Sequence, residues 1–184
     1  MGMKTIYLYL KNVDEESLVA FLSIYPGISL LGRKDNLIKL GIDDEEAMNL
    51  QEFRELVIQE LYHDFTAFVA PSSLDFPIDD VLPCLERLNV GVYHIEQVIP
   101  EIVFLKLTDI KNTLKNYYTQ LVGSDTIDSV LGFIKENQNA SKASKRLFMH
   151  RNTLNYRLDH FMMKTGIDIK SFQGALALYL LYRA

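Results

Sequence analysis

The stretch Leu147–Gly166, LFMHRNTLNYRLDHFMMKTG, decides the fold of the C-terminal part of this chain. An apolar stripe recurs at helical spacing, which predicts a helix with one buried face. Its members are Leu154, Leu158, Phe161 and Met162. Gly166 follows the apolar positions and is a common residue just after the end of a helix. The opposite face is largely polar. The sequence therefore predicts a helix that packs on one side and has its other side available to a partner.

A shorter helix is predicted immediately before this one, beginning after Asn139. Ala143 and Leu147 lie four residues apart and are expected to face inward. Residues 148–150 then turn the chain into the longer helix. Two helices joined by such a short turn form a helix-turn-helix, in which the second helix enters the major groove of DNA and the first crosses the backbone.

The residue types in these two helices suit contacts with double-stranded DNA. Arg151 can pair bidentately with guanine or with a phosphate, and Asn152 and Asn155 can bind the edge of adenine. Lys142, Lys145 and Arg146 on the first helix suit sequence-neutral phosphate contacts. The helix that reads the major groove is expected to span Arg151–Met163. The candidate DNA-binding residues are Ser141, Lys142, Lys145, His150, Arg151, Asn152, Thr153, Asn155, Tyr156 and Arg157.

Several of these residues have structural alternatives. Tyr156 could be half-buried packing, and Arg157 could bind a carboxylate on a neighbouring helix, such as that of Asp128. His150 could cap the second helix instead of contacting a base. The two lysines of the first helix could simply lie on a solvated face. A packed, paired or capping side chain is buried or hydrogen-bonded within the protein, whereas a side chain that contacts DNA is exposed and free. Burial and hydrogen bonds in the structure therefore distinguish these alternatives.

The segment Leu147–Leu158 closely resembles the C-terminal helix-turn-helix of the PucR/CdaR-type bacterial transcriptional regulators. The hallmark of that family is roughly Leu-Phe-Ile-His-Arg-Asn-Thr-Leu-x-Tyr-Arg-Leu, after an Asn-x-Ser-x-x-Ala helix. Met149 replaces the usual Ile or Val here, and Ser144 replaces the usual Ala, and both changes suit the available volume. The resemblance covers residues 125–184. It implies a sequence-specific, DNA-binding transcriptional regulator. Because operators are generally read as paired half-sites about one helical turn apart, we expect the protein to act as a homodimer.

Charge is distributed unevenly along the 184 residues. Residues 1–125 carry a net charge of −10, whereas residues 126–184 carry +5. A basic segment behind an acidic body indicates contact with a polyanion. No apolar run is long enough to span a membrane, and the N-terminus lacks a signal-peptide cleavage site. We therefore expect no membrane partner and a cytoplasmic location, which a single cysteine, Cys84, also fits.

The N-terminal part predicts an α+β domain with the order β-α-β-β-α-β-α-β, in which helices pack on a mostly antiparallel sheet. The predicted parts are an α+β regulatory or dimerisation domain over residues 1–107, a connecting helix over 108–124 and the helix-turn-helix domain over 125–184. Residues 91–99 are expected to form a strand, and the four acids Asp43–Glu46 to open a helix.

This N-terminal order is similar to the degenerate GGDEF-type, palm-like domains that PucR/CdaR-type proteins often carry. In active cyclases of that type, the turn of the central hairpin carries carboxylates that handle nucleotide and metal. Here that turn is Gly32–Asn36, GRKDN, which lacks paired carboxylates for Mg²⁺. The resemblance thus implies no catalysis, and leaves the binding of a small-molecule effector open.

Two other classes of function compete with DNA binding. An enzyme would have to use His63-Asp64 or the acidic run Asp43–Glu46, yet there is no glycine-rich phosphate loop and no metal-ligand spacing. We expect no catalytic residues, no metal and no cofactor. The other alternative is a protein-interaction module that retains the helix-turn-helix fold without binding DNA, which the overall net charge of −5 favours.

Overall fold

The computed structural model describes residues 3–10, 15–25, 27–43, 49–71 and 75–183. Its internal contacts divide the chain into two compact units. The first comprises the chain up to Leu74 together with Val81–His94, and the second comprises Asp75–Asp80 together with the chain from Ile95 onwards. These units have other boundaries than the predicted domains 1–107, 108–124 and 125–184. The predicted domains stay a prediction.

The first unit contains one five-stranded mixed sheet. Its strands are β1 (Met3–Tyr9), β2 (Ile28–Lys34), β3 (Leu37–Asp43), β4 (Thr66–Val69) and β5 (Gly91–Tyr93). Their order across the sheet is β2-β3-β1-β4-β5. The pairs β2–β3, β3–β1 and β1–β4 are antiparallel, and β4–β5 is parallel. A mostly antiparallel sheet, as predicted, is therefore confirmed.

Two helices connect these strands and contribute to the apolar core of the sheet. Helix α1 (Glu15–Leu22) joins β1 to β2, and helix α2 (Leu50–Leu61) joins β3 to β4. Phe21 on α1 and Phe53 on α2 pack with tilted rings 5.9 Å apart, in the same cluster as strand residues such as Ile6. Each β-α-β connection passes one intervening strand, which is the split arrangement known from α+β domains.

The segment before β5 combines two short helical forms. Helix α3 (Ile78–Val81) continues directly into a 3₁₀ helix over Leu82–Arg87. Pro83 lies in the first turn of the 3₁₀ helix and has no N–H with which to continue an α-helical ladder. The order of elements still agrees with β-α-β-β-α-β-α-β, so the α+β class is confirmed.

The strand expected over residues 91–99 is largely wrong. Only Gly91–Tyr93 is a strand, and helix α4 begins at Ile95 and ends at Phe104. Val98, Ile99 and Ile102 on α4 are buried, and with Ile95 they repeat at helical spacing. Their β-branched side chains favour strands intrinsically, but burial of one helical face overrides that preference.

The acidic run was also misassigned in part. Asp43 is the last residue of β3 and not the start of a helix, and residues 44–46 lie outside the described ranges. The residue that caps α2 is Asn49, whose side chain accepts a hydrogen bond from the N–H of Gln51 at 3.0 Å. Asparagine is preferred at this position because its short side chain reaches an otherwise unpaired N–H group.

Asp64 has a structural role in the first unit. Its carboxylate accepts hydrogen bonds from Nε of Arg54 at 2.7 Å and from the N–H of Phe65 at 2.8 Å. The hydrogen bond from Arg54 holds the pKa of the Asp64 carboxyl below its ordinary value, against the opposing effect of burial. These contacts connect the middle of α2 to the start of β4, and they give Asp64 a structural role.

We expect Asp64→Asn to lower the free energy of unfolding at pH 7 by about 1–2 kcal/mol. A carboxyl whose folded pKa is depressed stabilises the fold above its unfolded pKa, and the contribution is lost as the pH falls through the folded value. The deficit of the variant should therefore shrink when urea unfolding is repeated at pH 3. Glu60→Gln, an exposed change on the same helix, serves as the control. A deficit that is equal at both pH values would contradict this role.

The second unit is helical in its described residues. Its further helices are α5 (Thr108–Val122), α6 (Ser124–Lys135), α7 (Ala140–Arg146), α8 (Arg151–Thr165) and α9 (Phe172–Arg183). Gly123 ends α5 with φ of 85°, an angle that a residue with a Cβ rarely adopts. Helices α4 and α9 pack together, with Val98 and Leu181 fully buried.

Two tyrosines of this unit differ in how their hydroxyl groups are satisfied. The hydroxyl of Tyr182 on α9 donates to the carbonyl oxygen of Lys115 at 3.1 Å and lies 3.0 Å from Oγ1 of Thr119. Tyr118 on α5 is 1% exposed, and its hydroxyl has no hydrogen-bond partner among the described residues. A buried hydroxyl without a partner destabilises the folded state because it loses its hydrogen bonds to water.

The two tyrosine-to-phenylalanine changes should therefore have opposite effects. We expect Tyr118→Phe to raise the free energy of unfolding by about 1 kcal/mol, and Tyr182→Phe to lower it by about 1 kcal/mol. Urea unfolding of both variants beside the unmodified protein measures the difference. Each variant is the matched control of the other, because both remove one oxygen atom. A loss of stability in Tyr118→Phe would mean that its hydroxyl has a partner after all.

Candidate nucleic-acid interface

Helices α7 and α8 form the predicted helix-turn-helix. The turn between them covers residues 147–150, and Phe148 within it has φ of 52° and is 97% exposed. Leu147 packs against α6 at Gly132, where a Cβ would lie 2.8 Å from Cδ1 of Leu147. Glycine at this position lets the turn approach α6 closely. The turn is thus anchored by an apolar contact on one side and open to solvent on the other.

Helix α8 is held by the apolar stripe that its sequence predicted. Leu154, Leu158 and Phe161 are 0–2% exposed. Burial of three large side chains stabilises the helix position by several kcal/mol, since each contributes about 1.5–3 kcal/mol. Gly166 ends the helix in the left-handed conformation, and its N–H donates to the carbonyl oxygen of Met162 at 2.9 Å. The orientation of the outer face is therefore fixed.

The first turn of α8 is exposed. Arg151, Asn152 and Thr153 are exposed, whereas Asn155 is half-buried. Tyr156 is 70% exposed, so the alternative of half-buried packing does not describe it. These side chains are free to meet a groove of DNA, and the N-terminal position matches the part of a reading helix that contacts bases.

His150 caps α8. Its Nδ1 accepts a hydrogen bond from the N–H of Asn152 at 3.2 Å, and its backbone is extended, as is usual for a cap. His150 therefore acts as a helix cap, which was the structural alternative to a contact with a base. The side chain remains exposed, but one of its ring nitrogens is already occupied.

Arg157 binds α6. Its Nη1 donates to the carbonyl oxygen of Asp125 at 3.2 Å and to Oγ of Ser129 at 3.1 Å, and its Nη2 lies 3.3 Å from the Asp125 carboxylate. The sequence had suggested a carboxylate on a neighbouring helix, such as that of Asp128. The structure shows that the carboxylate is that of Asp125. This ties the middle of α8 to the N-terminal turn of α6. Arg157 therefore fixes α8 against α6.

The first helix of the pair presents its cations to solvent. Asn139 caps α7 by accepting a hydrogen bond from the N–H of Lys142 at 3.0 Å, as its place before the helix suggested. Ser141, Lys142 and Lys145 are exposed. Ser144 is 6% exposed, so its small side chain fits the close packing that the usual alanine allows.

Three cations near this surface have no internal counter-charge. Lys142, Lys145 and Arg151 form no ion pair within the part of the chain that the structure describes. By contrast, Arg146, which was also expected to contact phosphates, pairs with Glu136. Unpaired cations that surround an exposed polar face suit an anionic partner.

Lys170 is a residue that sequence reasoning missed. A groove beside α7 and α8 is lined by Ser141, Arg151 and Asn155, and also by Lys170 from the segment between α8 and α9. Gln138 holds that segment in place, because its Nε2 donates to the carbonyl oxygen of Ile169 at 2.9 Å. No periodicity links Lys170 to the two helices. The one sequence feature that pointed to Lys170 was its position in the basic segment 126–184.

Other kinds of site find no support among the described residues. No group of three or more histidine, cysteine, aspartate or glutamate side chains in these ranges is placed to hold a metal ion. In the same ranges, no helix has both the length and the apolar character needed to cross a membrane. The surface around α7 and α8 is thus the candidate site, and its fold defines a helix-turn-helix protein.

Comparison with known proteins places this domain in a family. Residues 126–184 match the PucR C-terminal helix-turn-helix domain. The chain therefore carries a PucR-type helix-turn-helix domain, and the resemblance inferred from Leu147–Leu158 is confirmed.

Relatives of this chain include named regulators. The carbohydrate diacid regulator of Escherichia coli (strain K12) is 39% identical over 51 residues, which cover 28% of this chain and 13% of that protein. The DNA-binding transcriptional activator AdeR of Bacillus subtilis (strain 168) is 25% identical over 166 residues, which cover 90% of this chain and 33% of AdeR. The chain thus spans a third or less of the length of these curated relatives.

A solved structure shares the fold. The regulator of polyketide synthase expression from Bifidobacterium adolescentis is 16% identical, with a TM-score of 0.50, over 98% of this chain and 80% of that one. At this level of identity the likeness concerns the fold alone. It agrees with an α+β unit combined with helices.

Proposed function

We propose that this chain is a sequence-specific DNA-binding transcriptional regulator that reads the major groove with α8. The observation that carries the proposal is the exposed first turn of α8, flanked by the unpaired cations Lys142, Lys145 and Arg151 on a rigidly packed helix-turn-helix. The names of the carbohydrate diacid regulator and of AdeR support a regulatory role.

The candidate residues divide into three roles under this proposal. Arg151, Asn152 and Asn155 contact bases, because they occupy the N-terminal turns of the reading helix. Thr153 and Tyr156 face the same groove. The phosphate contacts come from Ser141, Lys142, Lys145 and Lys170. His150 and Arg157 orient α8 through the cap and the contact with α6.

Further parts of the proposal follow from the family. The protein acts as a homodimer on paired half-sites in the cytoplasm, because helix-turn-helix operators are generally read by two-fold dimers. The α+β unit is a non-catalytic, GGDEF-like domain that serves regulation or dimerisation, with a small-molecule effector as a possible input. The chain has no enzymatic activity under this proposal, which the family of its helix-turn-helix and its regulator relatives support.

Selection of bound duplexes from a random DNA pool tests the proposal. The enriched duplex is then titrated by fluorescence anisotropy at several salt concentrations. Three phosphate-contacting cations in each helix-turn-helix, Lys142, Lys145 and Lys170, predict a slope in log K against log salt of about −2.7 for one half-site and about −5.4 for a dimer. Absence of enrichment and of binding even at low salt would overturn the proposal in favour of a protein-interaction module that does not bind DNA.

A further inference from the structure

The outer face of α8 carries large apolar side chains that the protein does not bury. Tyr156 and Met163 are 70% and 73% exposed, although Leu154 and Leu158 on the same helix are fully packed. Internal packing therefore does not account for them. They lie on the same side as Asn152, since residues separated by four and eleven positions share a helical face.

The ring of Tyr156 contacts one neighbouring ring on the same helix. It stacks on the ring of His160 one turn later, with centroids 6.2 Å apart and planes inclined by 13°. Asn152 lies one turn before it, about 6 Å along the helix axis. An amide and a flat apolar surface are thus presented side by side, close enough to meet neighbouring base pairs.

The charges around this face favour DNA over an apolar protein surface. Arg151 lies beside Asn152 and forms no ion pair with any residue that the structure describes, and the basic α7 precedes it. Asp159 is the acid on the outer face, and its carboxylate lies 3.4 Å from Nζ of Lys170. That pairing compensates a charge that would otherwise repel phosphates.

We infer that Tyr156 reads the 5-methyl group of thymine, and that Asn152 and Tyr156 together select a half-site containing A·T pairs. The thymine methyl is the apolar group that base pairs display in the major groove, and asparagine pairs bidentately with adenine. This inference rests on the proposed function, because it requires α8 to enter the major groove. It adds the class of base pair that the helix prefers.

Replacement of single thymines by uracil tests the inference, since uracil lacks only the methyl group. The probe is the duplex enriched from the random pool, with one thymine at a time replaced by uracil, titrated by fluorescence anisotropy. In the unmodified protein, we expect at least one position at which uracil weakens binding about three- to five-fold. In Tyr156→Ala, binding to the thymine and uracil duplexes should become equal at that position.

Two matched variants complete the experiment. Tyr156→Phe keeps the ring and should keep the preference for thymine, whereas Lys145→Gln should weaken binding to all duplexes without changing their ratio. Far-UV circular dichroism confirms folding, which an exposed position should preserve.

The possible results separate the inference from the proposed function. If the protein binds its selected duplex but tolerates uracil everywhere, or Tyr156→Ala keeps the full preference for thymine, the inference is wrong and the proposed function stands. A selected half-site without A·T pairs would also contradict the inference and leave the proposed function standing. If no duplex binds at low salt, the proposed function itself fails.

Discussion

Replacing Gly174 by alanine is expected to lower the free energy of unfolding by about 3 kcal/mol, one of the two largest effects predicted for this protein. Gly174 lies in the first turn of α9, against the segment that follows α8. A Cβ at this position would lie 2.1 Å from the carbonyl oxygen of Asp168 and 2.7 Å from its carbonyl carbon. Both are backbone atoms, which cannot rotate away.

The loop that would have to move is tightly connected. Ser171 donates from Oγ to the carbonyl oxygen of Asp168 at 2.7 Å, and the same Oγ accepts the N–H of Gly174 at 3.0 Å. The new methyl group therefore either separates α9 from the loop or breaks this cap. In a chain of this size, such a loss corresponds to a decrease in melting temperature of roughly 6–12 °C.

Gly132→Ala is the matched control, because it makes the same change in another helix. The Cβ there would meet side-chain atoms of Leu147, the nearest at 2.8 Å, which can rotate. Alanine also raises helix propensity equally at both positions. Thermal and urea unfolding should therefore show a clearly larger loss for Gly174→Ala. Equal losses would mean that the clash with the backbone does not determine the effect.

Replacing Arg151 by alanine is expected to weaken binding to the selected DNA by about 10- to 100-fold. Arg151 is exposed at the first position of α8 and forms no ion pair within the described ranges. Its removal therefore leaves the helix-turn-helix folded, and urea unfolding should change by less than about 0.5 kcal/mol. The effect on DNA binding should thus be separable from any effect on stability.

Arg151→Lys distinguishes the two contacts open to this side chain. Lysine keeps the charge but loses the bidentate geometry that guanine requires. A base contact therefore predicts a loss with Arg151→Lys that is confined to specific duplexes, whereas a phosphate contact predicts near-complete recovery. Lys164→Ala, an exposed cation about 20 Å further along the helix, is the control and should have little effect. Equal losses in Arg151→Ala and Lys164→Ala would contradict the assigned orientation of α8.

The same chain shows where a local pattern can mislead. The segment 91–99, in which four of nine residues are β-branched, was predicted to be a strand, yet only its beginning is one. Its apolar positions fit a helical period as well, and the choice depends on what covers them. Burial of Val98 and Ile102 within the helical unit decides in favour of a helix.

By itself, the sequence determined the two helices of the helix-turn-helix, the glycine that ends α8 and the buried stripe of α8. These features depend on contacts between residues three or four positions apart, which spacing reveals directly. Only the tertiary structure decided that Arg157 binds α6, that Lys170 borders the groove and that Gly174 must lack a side chain. Asp125 lies 32 positions before Arg157, and contacts across such separations depend on how helices pack.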